Sequence, residues 1–356
     1  MSSNPEGGNP PSPTPVDSVI SNASVSTDEL LPPVEPPSAG FIIQLFVVPA
    51  VIVLAVVLLW LIVTTLATQG DQDPAKIVGA LRGSNQARWQ KADELANMLR
   101  LEKRYPELKH NSELAAELAK LLDEEVEAGL DDKNSISLRY YLCRVLGEFY
   151  VDNGLAVLLK AARLDPERDV RREAINALAV LSQAFQDLEP PKQLEHNDLV
   201  KTFSALADDP DDLIRSQTAF ALGVFSQSPN ASPLLTVELQ ELVDDLYYDA
   251  RYNAALALAR QGNLKSTSAI AEMFNAEALA LSTESEKGGV RMQSFKRDTM
   301  LKNALEAAQQ LMKKNPTADF GALRAAIGQF TEEAPQWQPM PVPESLIDRG
   351  NQLLAK

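Results

Sequence analysis

The sequence predicts an all-α protein of repeated helical hairpins, preceded by a polar tail and one membrane-crossing helix. Three observations carry this. Apolar residues recur three and four positions apart through most of the chain after Pro74, with few aromatics and no alternation of strand type. An Asp followed six residues later by an Arg appears three times, each time ahead of such a ladder. Residues 41–67 contain no charged side chain at all.

The elements follow in chain order. Residues 1–40 hold nine prolines, many Ser and Asn, and no Lys or Arg. They have too little apolar surface to offset the entropy of ordering, so a disordered Pro-rich tail is expected there. FIIQLFVVPAVIVLAVVLLWLIVTTLA, residues 41–67, would be about 40 Å long as a helix, more than the roughly 30 Å hydrocarbon core, with tilt taking up the excess. Pro49 is tolerable in such a helix. A buried soluble helix would carry polar punctuation. A cleavable signal peptide would have a shorter apolar run behind a basic start, although Thr65-Leu66-Ala67 loosely imitates a cleavage site. An uncleaved single-pass anchor is therefore expected. Lys76, Arg82, Arg88 and Lys91 follow the segment and no basic residue precedes it, so the positive-inside rule puts the C-terminal domain in the cytoplasm. An extracytoplasmic domain is the alternative if these charges do not set the orientation.

The repeated unit is read from three stretches. DPERDVRREAINALAVL has Asp165 and Arg171, DDPDDLIRSQTAFALGVF has Asp209 and Arg215, and DLYYDARYNAALALARQG has Asp245 and Arg251. Weaker copies surround Arg88, Arg139 and Lys302, and the successive basic residues stand 51, 32, 44, 36 and 51 apart. That irregular spacing is in the range of helical-hairpin repeats with insertions. An amphipathic stretch precedes each strong copy: NGLAVLLKAARL, LEHNDLVKTFSALA and LLTVELQELVD. Each Asp then sits between a first and a second helix, with Pro166 and Pro210 suited to an opening turn.

This pattern resembles the HEAT-repeat (α-solenoid) family, in a membrane-anchored bacterial form. The resemblance implies an α-solenoid of about five to six HEAT-like hairpins over residues 68–330. It also implies a structural ladder between neighbouring repeats with Asp165, Arg171, Asp209, Arg215, Asp245 and Arg251 as members. DFGALRAAIGQF reads as a further capping helix. Residues 331–356 read as a Pro-rich linker, with Trp337 exposed or folded back, and a short C-terminal helix. STESEKGGVR, Ser282 to Arg291, reads as a solvated insertion in the last hairpin.

Charge and composition narrow the function. Acidic residues outnumber basic ones 49 to 33 for a net −16, and without the tail the balance is still −11. Neutralising phosphates needs the opposite sign, so nucleic-acid binding is disfavoured. His110 and His196 are far apart with no ligand at metal spacing, so no metal and no cofactor are expected. Cys143 stands mid-helix, where a buried thiol is the expectation. Gly288-Gly289 lacks the strand and the GK[ST] of a phosphate loop. The expectation is a non-enzymatic, membrane-tethered scaffold that binds a protein partner through the concave face of its second helices. Tyr140, Arg144, Arg172, Asn176 and Tyr252, beside the ladder, are its expected contacts, since aromatic and Arg side chains anchor interfaces. The alternative is a membrane-bound lyase-like HEAT enzyme acting on a prosthetic group, which would need a deep apolar pocket.

Overall fold

The structure, a computed structural model, describes residues 38–69, 74–83, 88–101, 105, 107–228, 230–284 and 286–355. The tail expected over residues 1–40 lies almost wholly outside them. Among the described residues every regular element is helical, and the chain divides into two units, the second spanning Gln69–Lys356.

The first unit holds α1 (Ala39–Gln69), which runs through Pro49 without a break. Its stretch Ile43–Thr64 is 22 residues, about 33 Å as a helix, and is long and apolar enough to cross a membrane. From Ile43 to Val63 its side chains are exposed. Thr64 satisfies its hydroxyl by donating back to the Trp60 carbonyl at 2.9 Å.

The second unit contains α2 (Pro74–Arg82), α3 (Arg88–Arg100), α4 (Ser112–Ala128), α5 (Lys133–Gly147), α6 (Leu155–Leu164) and α7 (Arg168–Gln186). It continues with α8 (Leu199–Ala207), α9 (Asp212–Phe225), α10 (Pro233–Leu242), α11 (Tyr248–Gln261), α12 (Thr267–Glu272) and α13 (Ala276–Thr283). α14 (Gly289–Lys314), α15 (Gly321–Glu333) and α16 (Glu344–Leu354) close it. Local chemistry sets many of the boundaries. Asp132 accepts the Asn134 and Ser135 N–H groups at 3.0 and 3.1 Å to open α5, and Asp211 does the same for Leu213 and Ile214 to open α9. Ser232 caps α10, whose first residue is Pro233. α11 stops at Gly262, where φ is +82° and a side chain would be strained.

Two rows of helices result. α3, α5, α7, α9 and α11 pack each on the next, and so do α2, α4, α6, α8 and α10; each even helix also packs on the odd one that follows it. The apolar stripes of the two rows meet between them, where Leu118, Leu142, Leu158, Leu178, Phe203, Leu222, Leu239 and Leu258 are fully buried. Small residues let the odd row close up. A side chain at Gly147 would come within 2.8 Å of the Ala177 Cα, so α5 and α7 approach this tightly only because Gly stands there. Beyond α11, α14 continues the odd row, α12 bridges α11, α14 and α15, and α16 packs on α14 and α15.

One expectation changes at this end, and one alternative is decided. The stretch from Ser282 to Arg291 is not one solvated insertion. α13 runs through Thr283, Ser282 and Thr283 are buried and donate to the Leu279 carbonyl, and α14 already starts at Gly289. Trp337 is folded back, its ring 5.6 Å from that of Phe330. Arg297 reaches the same segment, donating to the carbonyls of Met340 at 2.7 Å and Pro341 at 3.3 Å. The Pro-rich stretch is thereby held against the helices.

Candidate functional site

The site is positioned by a series of ion pairs that repeat from one helix pair to the next. Arg139 Nε donates to Asp165 at 2.8 Å, Arg215 Nε to Asp245 at 2.7 Å and Arg251 Nε to Glu272 at 3.0 Å. Arg171 meets Asp209 at 3.6 Å, and Arg88 meets Glu125 at 2.6 Å. Each links a helix of the odd row to the end of the even-row helix that follows.

The geometry explains the spacing of six. Arg215 Nη1 donates to the carbonyl of Asp209 at 3.0 Å, and Arg251 Nη1 donates to that of Asp245. The Asp carboxylates point elsewhere: each accepts the N–H two residues on, at 2.9 Å for Asp165 and Asp209 and 2.8 Å for Asp245. The remaining carboxylate capacity goes to the Arg of the preceding pair. At Asp209/Arg215 and Asp245/Arg251 the spacing is thus a backbone contact within one pair, while the ion pair joins two. Burial works to raise the Asp245 carboxyl, but the Arg215 hydrogen bond and the Tyr247 N–H outweigh it and hold it below the ordinary 3.8.

Arg139 and Asp165 are both fully shielded from solvent, whereas Arg215 and Asp245 remain 20% and 9% exposed. The most buried member of the series therefore starts from Arg139, which lacks an Asp six residues ahead. Its Nη1 uses the Leu130 carbonyl and the Ser135 hydroxyl instead. Glu272 replaces the Asp at the last position; its longer side chain reaches Arg251 from inside α12.

Two residues past Arg139, Arg171 and Arg215 the chain turns toward an open groove. Tyr141, Glu173 and Gln217 occupy that position on α5, α7 and α9, and with Ile136, Tyr140, Asp169, Arg172 and Asn176 they line a cleft of about 470 Å³. Trp89 stacks on Tyr141 with ring centres 5.5 Å apart, and Tyr140 meets the same ring edge-on at 5.3 Å. Glu173 stands beside the Tyr140 hydroxyl and the Asn176 side chain, both of which favour its charged form. Gln217 Nε2 lies 3.5 Å from Asn176 Oδ1. Arg172 faces Asp169 at 3.5 Å, and its Nε is without a partner among the described residues. The cleft is thus a hydrogen-bonding strip with an aromatic end.

Burial raises the Glu173 carboxyl above its ordinary 4.5, against the opposing pull of Tyr140 and Arg144. The Tyr140 hydroxyl is pushed up to about 12 by its own burial and by the Glu173 charge. A carboxyl raised on folding binds more protons in the folded chain than in the unfolded one. Its contribution is therefore present below about 4.5 and lost as pH rises through the raised value. Glu173→Gln keeps an acceptor for Tyr140 and removes the buried charge. It is expected to raise the melting temperature at pH 7, with the difference from the parent chain shrinking toward pH 4; thermal unfolding at both pH values checks this.

Of the five expected contacts, Tyr140, Arg172 and Asn176 line this cleft, and Arg144 stands beside it, 3.7 Å from Asp93. Tyr252 departs from the expectation. It is 2% exposed, with its ring 5.8 Å from that of Tyr248 and the Arg251 guanidinium 5.4 Å above it. Burial pushes its hydroxyl up, helped by the Glu272 charge. Although it occupies the position equivalent to Tyr140, α12 and Glu272 fold over that part of the row. Cys143 is fully buried; that burial, with the Glu173 and Asp165 charges, pushes its thiol well up. Among the described residues no group of His, Cys, Asp and Glu has the arrangement to hold a metal ion. Trp89, Tyr141, Glu173 and Gln217 were not expected; the register two residues beyond each ladder Arg is the signal that points to the last three. No protein-family model and no curated protein matches the chain.

Proposed function

We propose that the chain is a single-pass membrane protein whose helical unit is a HEAT-like α-solenoid, and that it holds a protein partner along the cleft of α5, α7 and α9. The fold reading is supported by the two rows of helices and the ion pair repeated from pair to pair, which is how stacked repeats bury faces that none could bury alone. The anchor reading is supported by the apolar length of α1, and the cytoplasmic placement by the basic residues that follow it.

One observation carries the scaffold reading. The cleft is open and lined by amides, carboxylates, a guanidinium and aromatic rings on three successive helices, a surface that suits an elongated polypeptide. A lyase acting on a prosthetic group calls for a deep apolar pocket, whereas this cleft is partly open and mixes polar with apolar side chains. A photo-crosslinking residue at Gln217 in the full chain, in its native membrane, is expected to give one protein adduct of constant mass. The same residue at Lys201, exposed on α8, is expected to give none. Adducts from both positions, or from neither, would overturn the reading. Cleavage of the helical unit by protease added outside intact cells would reverse the orientation.

A further inference from the structure

The first half of α14 carries a face left exposed among the described residues of its unit. Arg291, Phe295, Thr299 and Lys302 follow one another at helical spacing and are all exposed, with Met292 beside them. Phe295 is 68% exposed and Met292 44%. The opposite face, with Ser294, Arg297 and Leu301, is buried against the rest of the unit. Two large apolar side chains therefore sit in the open between two cations.

Charge distinguishes this face from the rest of the chain. The stretch from Glu284 to Lys302 has five basic and three acidic residues in a protein of net −16. Two of those acids are occupied: Glu286 pairs with Lys296 at 3.0 Å, and Asp298 takes the Arg297 guanidinium at 2.7 Å. Glu284 is the third, exposed just ahead of the helix. Lys287, Arg291 and Lys302 point to solvent. An aromatic and a thioether flanked by Lys and Arg on one side of a helix is the composition that settles at a lipid–water interface, with the rings among the acyl ends and the cations at anionic headgroups.

We propose that this face of α14 docks on an anionic bilayer surface, an inference that rests on the membrane reading of α1. A contact this small would not recruit a protein from solution. A chain already held by a membrane helix meets the surface at high effective concentration, and a weak contact then suffices to dock the helical unit.

The full chain, with Thr299→Cys carrying a polarity-sensitive dye, is reconstituted into phosphatidylcholine vesicles with and without phosphatidylglycerol; the buried Cys143 stays unlabelled. The expected result is a blue shift of the dye in the anionic vesicles, weakened by high salt and lost in Arg291→Glu/Lys302→Glu. These exposed positions leave the helical circular dichroism unchanged. An identical spectrum in both vesicles overturns the proposal, and so does a shift that needs an added protein in place of anionic lipid. Carbonate-resistant flotation reports on α1 separately. A chain that floats with an unshifted dye keeps the anchor and loses the α14 contact. One that washes off yet shifts on anionic vesicles keeps the contact and loses the anchor.

Discussion

Arg139→Ala is expected to cost about 3–5 kcal/mol, the range for breaking a buried, hydrogen-bonded ion pair by removing one partner. The substitution strands the fully shielded Asp165 carboxylate, whose remaining partner among the described residues is the Glu167 N–H at 2.9 Å. It also takes a donor from the Leu130 carbonyl and from the Ser135 hydroxyl. At roughly 2 °C per kcal/mol for a unit this large, the melting temperature should fall by about 6–10 °C. Arg215→Ala is expected to cost less, because water reaches that pair and screens the orphaned Asp245. Adding Asp165→Asn to Arg139→Ala should recover part of the loss, since much of it is an uncompensated buried charge. Denaturant unfolding of the three variants checks the order. Equal losses at Arg139 and Arg215 would mean that burial does not set the strength of these pairs.

Phe330→Ala is the second large effect, about 3–5 kcal/mol for emptying a fully buried aromatic site. Its ring lies 5.6 Å from both Phe274 and Trp337, so it joins α15 to the residues after α12 and to the folded-back Pro-rich stretch. Its loss should be local. Amide hydrogen exchange is expected to quicken in α15, α16 and residues 337–343 while α5 and α7 keep their protection, because helices in such an arrangement depend mainly on their neighbours. Uniform loss of protection would instead make the whole unit one cooperative block.

The helices of the odd row were legible because Asp, Pro and apolar residues three and four apart act within one turn of chain. The same local rules brought α6, α8 and α10 out of their amphipathic stretches, and α1 out of an uncharged run. Burial was harder to read. Tyr140 and Tyr252 stand at equivalent places after Arg139 and Arg251, and sequence treats them alike. One lines a cleft and the other is covered, because α12 packs over the end of the row and no described helix of the unit covers the cleft on α5 and α7. Arg139 was undervalued for a related reason. Its partner lies 26 residues away, and the six-residue spacing, a backbone contact at Arg215 and Arg251, has no counterpart at Arg139, which uses the Leu130 carbonyl.

The sequence by itself determined the helical class, the positions of most helices, the apolar length of α1 and the residues available for pairing between helices. Periodicity, capping and charge are properties of short stretches, and short stretches carry them whole. Only the tertiary structure decided which Asp answers which Arg, that Glu272 ends the series, that Glu173 is held between Tyr140 and Asn176, and that Phe295 is left in the open. Each of these depends on how closely two helices distant in sequence approach, and that distance is set by the packing of side chains between them.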